Sequence, residues 1–426
     1  MRIVLVNKFH YRKGGAETYY LTIGEKLKEM GHEVAYFSMK HPNNLPCAQE
    51  KYFVTQREYN NVKNPLMAAR DGLALLYSNE AKHNFEELCG DFKPDIVHMS
   101  NVHRQITLSI LDAPYLSEHH VPVVYTAHDY VTICPGYLML DGSGKVCDAC
   151  LDGKYRHCIE KVCVKGSRAK SALAAAEASF NRRRHMNEKI DKVIAPSRFM
   201  RLKLVEGGWP EDKVVFMQNF ASDEILERAS STGDSTDRKH PYVLFFGRLS
   251  HEKGIDVLVH AFIKALPNLP SGLRLVIAGD GPEKDAIESF VKETHAPIEL
   301  VGYKTGEELK SLVAGALLAV SPSVWRENMP YSIIEALAEG TPVIGSRIGG
   351  IPELISDDET GWLCELGDKS SLANVLVQGV QAAGNVTTYN LMQTHCRSYV
   401  IDHCAQGDYM EGLVELYKEL IHVKRA

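Results

Sequence analysis

A chain of 426 residues, 45% hydrophobic and 24% charged, is longer than one hydrophobic core usually fills and too apolar for disorder, so two globular domains are expected. Its formal net charge of -6 gives no general basic field, and without an RNA- or DNA-binding signature nucleic acid is set aside as a partner. No apolar run approaches the ~20 residues of a spanning helix, the N-terminal run is too short for a signal peptide, and the ten cysteines are scattered outside one cluster, so reduced thiols and a cytoplasmic location are expected.

In chain order, short β-branched runs alternate with helical stretches: RIVLVN at 2–7, EVAYFS at 33–38, DIVHMS at 95–100, VVYTAH at 123–128 and KVIAPS at 192–197. Nearly continuous apolar runs of this kind suit parallel strands buried on both faces, a doubly wound α/β pattern. The polar stretch Ala229–Pro241 breaks the periodicity and reads as a linker. The pattern then restarts with YVLFFG at 242–247, LRLVIAG at 273–279, IELVG at 298–302, ALLAVSP at 316–322 and PVIGS at 342–346. A last stretch carries Met410, Leu413, Val414, Leu416 and Leu420 at helical spacing. The expected organisation is one α/β domain over 1–218, a second over 219–405 and a terminal helix over 406–426 packing on either domain. Open sheets bind ligands outside the carboxyl ends of their strands, so chemistry is expected in a cleft between the two.

The candidate residues fall at those strand ends. Gly14 and Gly15 follow the first strand and let backbone approach a ligand. His128 ends the fourth, either as a neutral imidazole facing the cleft or as an ordinary structural group. Arg248 and Lys253, in GRLSHEKGID, suit a diphosphate, the first as a two-pronged donor and the second as a point charge. No Asp-x-Asp triplet is present to hold a divalent metal on that diphosphate. The stretch WRENMPYSIIEALAEGTPVIGS sets Glu327 and Glu335 with seven residues between them. Pro330 suits a first helical position, Ile333, Ile334 and Leu337 an apolar face, and Gly340 a left-handed stop, which leaves Glu327 in the loop beside unpartnered backbone N–H groups.

The series GGAE, AHDY, APS, GRLSHEKGID, IAGDGP and SPSVWRENMPYSIIEALAEGTPVIGSRIGGIPELI resembles, in order and spacing, the retaining glycosyltransferases of family 4, over essentially the whole chain. The resemblance implies the GT-B fold, two Rossmann-like domains facing each other across a cleft. It implies transfer of a sugar from a nucleotide-diphosphate donor to a hydroxyl of a glycan or lipid-linked acceptor, with no cofactor required for catalysis. Glu335 would hold the ribose and Glu327 would lie by the donor sugar's reacting carbon. The backbone from Asn328 through Met329, Pro330 and Tyr331 to Ser332 would face sugar and phosphates. Arg248 and Lys253 would stabilise the leaving diphosphate, His128 would touch the sugar's hydroxyls, and Tyr303 and Lys304 would lie against the base. A non-catalytic nucleotide-sugar-binding subunit and a GT-B epimerase or phosphorylase stand as alternatives.

Within the first domain, residues 131–168 gather half of the cysteines and resemble an insert seen in some bacterial members. Cys147, Cys150, Cys158 and Cys163 offer four thiolates, so the expectation is a structural zinc or an iron–sulfur cluster, against the alternative of plain reduced thiols. The insert would shape the acceptor site. The arginine-rich stretch after it, with Arg168, Lys170, Arg182, Arg183 and Arg184, either rests on anionic lipid at the inner face of the membrane or is a solvated face.

Overall fold

The structure, a computed structural model, describes residues 1–57, 72, 74–231 and 241–426. Strands β1 (Arg2–Val6), β2 (Glu33–Phe37), β3 (Ile96–Met99), β4 (Val123–Thr126), β5 (Lys192–Ala195) and β6 (Val214–Phe216) form one parallel sheet in the order β2-β1-β3-β4-β5-β6. Strands β7 (Tyr242–Phe246), β8 (Arg274–Ala278), β9 (Ile298–Gly302), β10 (Leu318–Ser321), β11 (Val343–Ser346) and β12 (Gly361–Cys364) form a second, in the order β12-β11-β10-β7-β8-β9. Helices cover both faces, which is why Ile3, Val4, Leu5 and Val6 are all fully buried and the strand has to be apolar throughout.

In each sheet the strand order reverses beside the first strand, between β1 and β3 and between β7 and β10. Loops leaving the carboxyl ends of such a pair diverge and leave a crevice. The two crevices face each other, and this positions the site.

Each sheet also has a strand that the sequence does not announce. β6, VVF, and β12, GWLC, are short edge strands, and neither has the long apolar run that marks the strands inside the sheets. Of the expected linker, Ala229–Ser231 form the end of the helix Asp223–Ser231, with Ala229 buried, and residues 232–240 lie outside the described residues.

The helix Gln406–Arg425 lies on the first sheet, where Tyr409, Met410, Leu413, Val414, Leu416, Tyr417 and Leu420 share one core with Ile3, Leu5, Ile96, Val124 and Ile194. Its two buried hydroxyls are satisfied there: Tyr417 Oη bonds His98 Nδ1 at 2.5 Å and Tyr409 Oη bonds Tyr19 Oη at 2.6 Å. The chain therefore crosses between the halves twice, and the crossings run side by side, with Ala221 N donating to Cys404 O at 2.8 Å and Ala221 bridged to Ala405.

Candidate active site

A cavity of about 1300 Å³ lies between the sheets. The first half contributes Gly14, Gly15 and His128, and the second contributes Arg248, Lys253, Tyr303, Lys304, Glu327, Asn328, Met329, Pro330, Tyr331, Ser332 and Glu335. The glycines, cations, glutamates and other strand-end residues singled out in the sequence thus line one cleft.

The local chemistry explains their placement. The helix carrying Glu335 runs Tyr331–Ala338. Pro330, with ψ 120°, stands just outside it as the N-cap, so the helix starts one residue later than its proline suggests. Ile333, Ile334 and Leu337 are buried against the second sheet, and Gly340 ends the helix at φ 72°, a left-handed turn that a side chain would strain. Gly254, at φ 70°, does the same for the loop of Lys253, since a Cβ there would lie 1.9 Å from the carbonyl of Pro322. Across the cleft, a Cβ on Gly15 would sit 3.1 Å from the ring of Tyr331, so the glycine lets the two halves come into contact.

Glu327, 3% exposed, accepts from Lys253 Nζ at 2.5 Å and from Ser323 Oγ at 2.8 Å through the same oxygen, Oε1. Its charge is matched on the spot, so the carboxylate is held in place without leaving a net charge in the cleft. Glu335 has no such partner, and burial pushes its carboxyl up to about 7. Burial also pushes His128 down to about 3, so its imidazole is neutral at any working pH. Its Nε2 is buried without a hydrogen-bond partner, while its carbonyl accepts from Asn328 Nδ2 at 2.8 Å across the cleft. An unmade bond of this kind costs about 1–3 kcal/mol, which a ligand hydroxyl would recover. Tyr19 packs edge-on against the His128 ring at 4.9 Å between centroids, fixing its plane. Lys304 pairs with Glu308 at 3.2 Å, and Tyr303, 74% exposed, marks the rim.

The metal expectation is corrected. Among the described residues, no group of three or more His, Cys, Asp or Glu side chains is arranged to hold a metal ion. Cys147, Cys150, Cys158 and Cys163, with Cys134 and His157, do line one cavity, but it holds only about 10 Å³. The thiols are spoken for differently. Cys147 Sγ accepts from Lys161 Nζ at 3.3 Å, and Cys158 and Cys163 hydrogen-bond to each other. Burial raises Cys150 to about 12 and Cys134 to about 11, whereas the hydrogen bond from Cys158 lowers Cys163 to about 7.

The same segment carries a contact that the sequence did not disclose. Arg326, next to Glu327, makes a two-pronged pair with Asp148, which stands between Cys147 and Cys150, at 2.5 Å for both Nη1–Oδ1 and Nη2–Oδ2. Arg198 N and Phe199 N of the first half likewise donate to Glu353 of the second, at 2.9 and 2.8 Å. Such partners are far apart in sequence, and no local spacing signals them.

Residues 240–381 match the family model described as "Glycosyl transferases group 1", and residues 13–224 match "Glycosyltransferase Family 4". The chain belongs to glycosyltransferase family 4. Family 4 enzymes are transferases of the retaining, metal-independent class. The family 4 match runs across residues 131–168, and the comparisons do not support setting that segment apart as an insert. A Klebsiella pneumoniae protein described as an "Uncharacterized 42.6 kDa protein in cps region" is 25% identical over 83% of this chain and 87% of its own length. The "Amylovoran biosynthesis glycosyltransferase AmsK" of Erwinia amylovora is 30% identical over 34% of this chain and 37% of its own. Among solved structures, Anabaena Alr3699/HepE in complex with UDP aligns over 98% of this chain and all of its own, with a TM-score of 0.65 at 16% identity, which establishes the shared GT-B fold. No helix among the described residues is long and apolar enough to cross a membrane.

Proposed function

We propose that this family 4 transferase moves a sugar from a nucleoside-diphosphate donor to a hydroxyl of a glycan or lipid-linked acceptor in the building of a surface polysaccharide. The observation that carries the reading is the convergence of His128, Arg248, Lys253, Glu327 and Glu335 on one cleft between the switch points of two sheets. The cps-region relative and the amylovoran transferase support the polysaccharide setting, and the UDP in the Anabaena structure supports a uridine nucleotide as the first donor to try.

In this reading Glu335 accepts from the ribose hydroxyls, and Tyr303 and Lys304 flank the base. Arg248 and Lys253 neutralise the charge that grows on the leaving diphosphate, and Lys253 moves part of its bonding from Glu327 to phosphate. Loss of the diphosphate leaves an oxocarbenium-like carbon, with Glu327 at its side and the neutral His128 donating to or accepting from a sugar hydroxyl. Gly14 and Gly15 bring backbone up to the phosphates, and the backbone from Asn328 to Ser332 faces them. The acceptor enters from the first half, on the same face as the departing group, which gives retention. The place of work is the cytoplasm, with Arg168 and Arg183 of the basic stretch, both exposed, resting against anionic lipid.

A thermal-shift screen against UDP, GDP, ADP and their sugar conjugates tests the donor site. One nucleotide is expected to raise the melting temperature, and Glu335→Ala to abolish most of that rise. A variant that keeps the full shift would remove Glu335 from the site.

A further inference from the structure

The donor accounts for only part of the positive charge in the cleft. Arg248 and Lys253 suffice for one diphosphate, yet Lys8, Lys13, Arg104 and Lys165 line the opposite wall. They come from three places on the first half: the loop after β1, the loop after β3, and the stretch before the helix Arg168–Arg183. Strand ends converge here, so cations far apart in sequence are gathered without being local neighbours.

Their partners show how the wall is held. Arg104 Nη2 donates to Pro135 O at 2.9 Å, its Nε lies 3.6 Å from Glu177 Oε2, and its guanidinium stands 5.3 Å over the Tyr137 ring. Lys8 and Lys13 stand over the Phe9 ring at 5.6 and 3.7 Å. Lys8 and Arg104 both act on Asp129, Glu177 and His103, so they belong to one cluster. His103 lines the cleft at 9% exposure with a buried Nδ1 that has no hydrogen-bond partner, a polar atom built into the wall and left for a ligand.

The acids facing these cations are Glu17, Asp129 and Glu177. Burial raises Glu177 to about 7 and raises Asp129 as well, so both are drawn toward the neutral form. Lys13 is lowered by burial, with Glu17 opposing and Lys8 and Arg248 adding to the fall, which places it between the donor cations and this second group. A wall of like charges that repel one another is stabilised when an anion enters.

We propose that Lys8, Arg104 and Lys165 form an acceptor subsite for a phosphate group, so that the acceptor is a phosphorylated or diphosphate-linked molecule. The inference rests on reading the rest of the cleft as the donor site. Lys8 and Lys165 supply point charges and Arg104 a fork held in place by Glu177, while the unpartnered nitrogen of His103 takes a phosphate or adjacent hydroxyl. The reacting hydroxyl then lies between this group and His128, on the side of the cleft away from Arg248.

The test uses the full chain and inorganic pyrophosphate as probe, titrated by calorimetry with and without saturating nucleotide. Wild-type protein saturated with nucleotide is expected to bind pyrophosphate, and Lys8→Ala and Lys165→Ala each to weaken that binding about tenfold, the worth of a charge-assisted hydrogen bond. The nucleotide's thermal shift is expected to stay as in wild type. Absence of pyrophosphate binding to the nucleotide-saturated protein, or equal affinities in wild type and both variants, overturns the proposal. Protein that takes up no nucleotide but keeps Lys8-dependent pyrophosphate binding sinks the donor reading and leaves this subsite standing. The source of the phosphate is read in two further arms, glucose 1-phosphate in solution and vesicles containing polyprenyl phosphate. Lys8-dependent binding to the first alone assigns a soluble acceptor, and to the second alone a lipid-linked one.

Discussion

Glu335 shows how a single side chain trades stability for binding. A carboxyl whose folded value lies near 7, against 4.5 for the free group, resists ionisation in the fold. The folded state is therefore penalised only where the unfolded chain would ionise it: nothing is lost below about pH 4.5, the penalty grows up to about 7, and it is complete above that. Glu335→Gln is expected to raise the stability of the free protein at pH 8 by about 1–2 kcal/mol, after discounting for partial exposure, and to change it little at pH 4. The same variant should bind nucleotide more weakly, because ribose hydroxyls lose an acceptor with full charge. Denaturant melts at the two pH values decide it, and equal gains at both would mean that the carboxyl is not held up by its surroundings. His128 is the complementary case, since its folded value near 3 keeps it neutral and no loss of activity between pH 6 and 8 should trace to it.

At the scale of elements, the strands that sit inside the sheets and the helix between Pro330 and Gly340 were legible because burial on both faces, or on one helical face, leaves a periodic apolar mark. Two of the four edge strands, β6 and β12, were not, since VVF has only three residues and GWLC opens on a glycine and has no β-branched residue. Likewise the donor half of the site could be read from strand ends and the Glu-x7-Glu spacing, whereas the pair Arg326–Asp148 spans 178 residues and leaves no local trace. That pair ties the loop of Glu327 to the cysteine-lined segment. Asp148→Asn should cost about 1–2 kcal/mol, less than a fully buried pair because Asp148 is 44% exposed, and should slow sugar transfer while nucleotide affinity holds. Asp148→Glu should restore the rate in part. A loss of stability with an unchanged rate would make the pair a brace with no bearing on Glu327.

On the scale of the whole molecule, the helix Gln406–Arg425 belongs by packing to the half at the other end of the sequence. Leu413, 0% exposed in that shared core, is a direct probe: Leu413→Ala should cost about 3 kcal/mol, and nucleotide should still raise the melting temperature by the wild-type amount, because the donor wall is untouched. A lost nucleotide response would show instead that the helix governs the cleft. The placement of that helix also has a mechanical result. Because the outgoing and returning segments touch at Ala221 and Ala405, they form the spine of a book: a swing of the covers about it would spare the hydrogen bond from Ala221 to Cys404, whereas sliding or twisting would shear it. The Arg326–Asp148 pair then acts as the clasp of the closed book, holding the loop of Glu327 against the first half, which is why its loss is expected to slow transfer rather than free it.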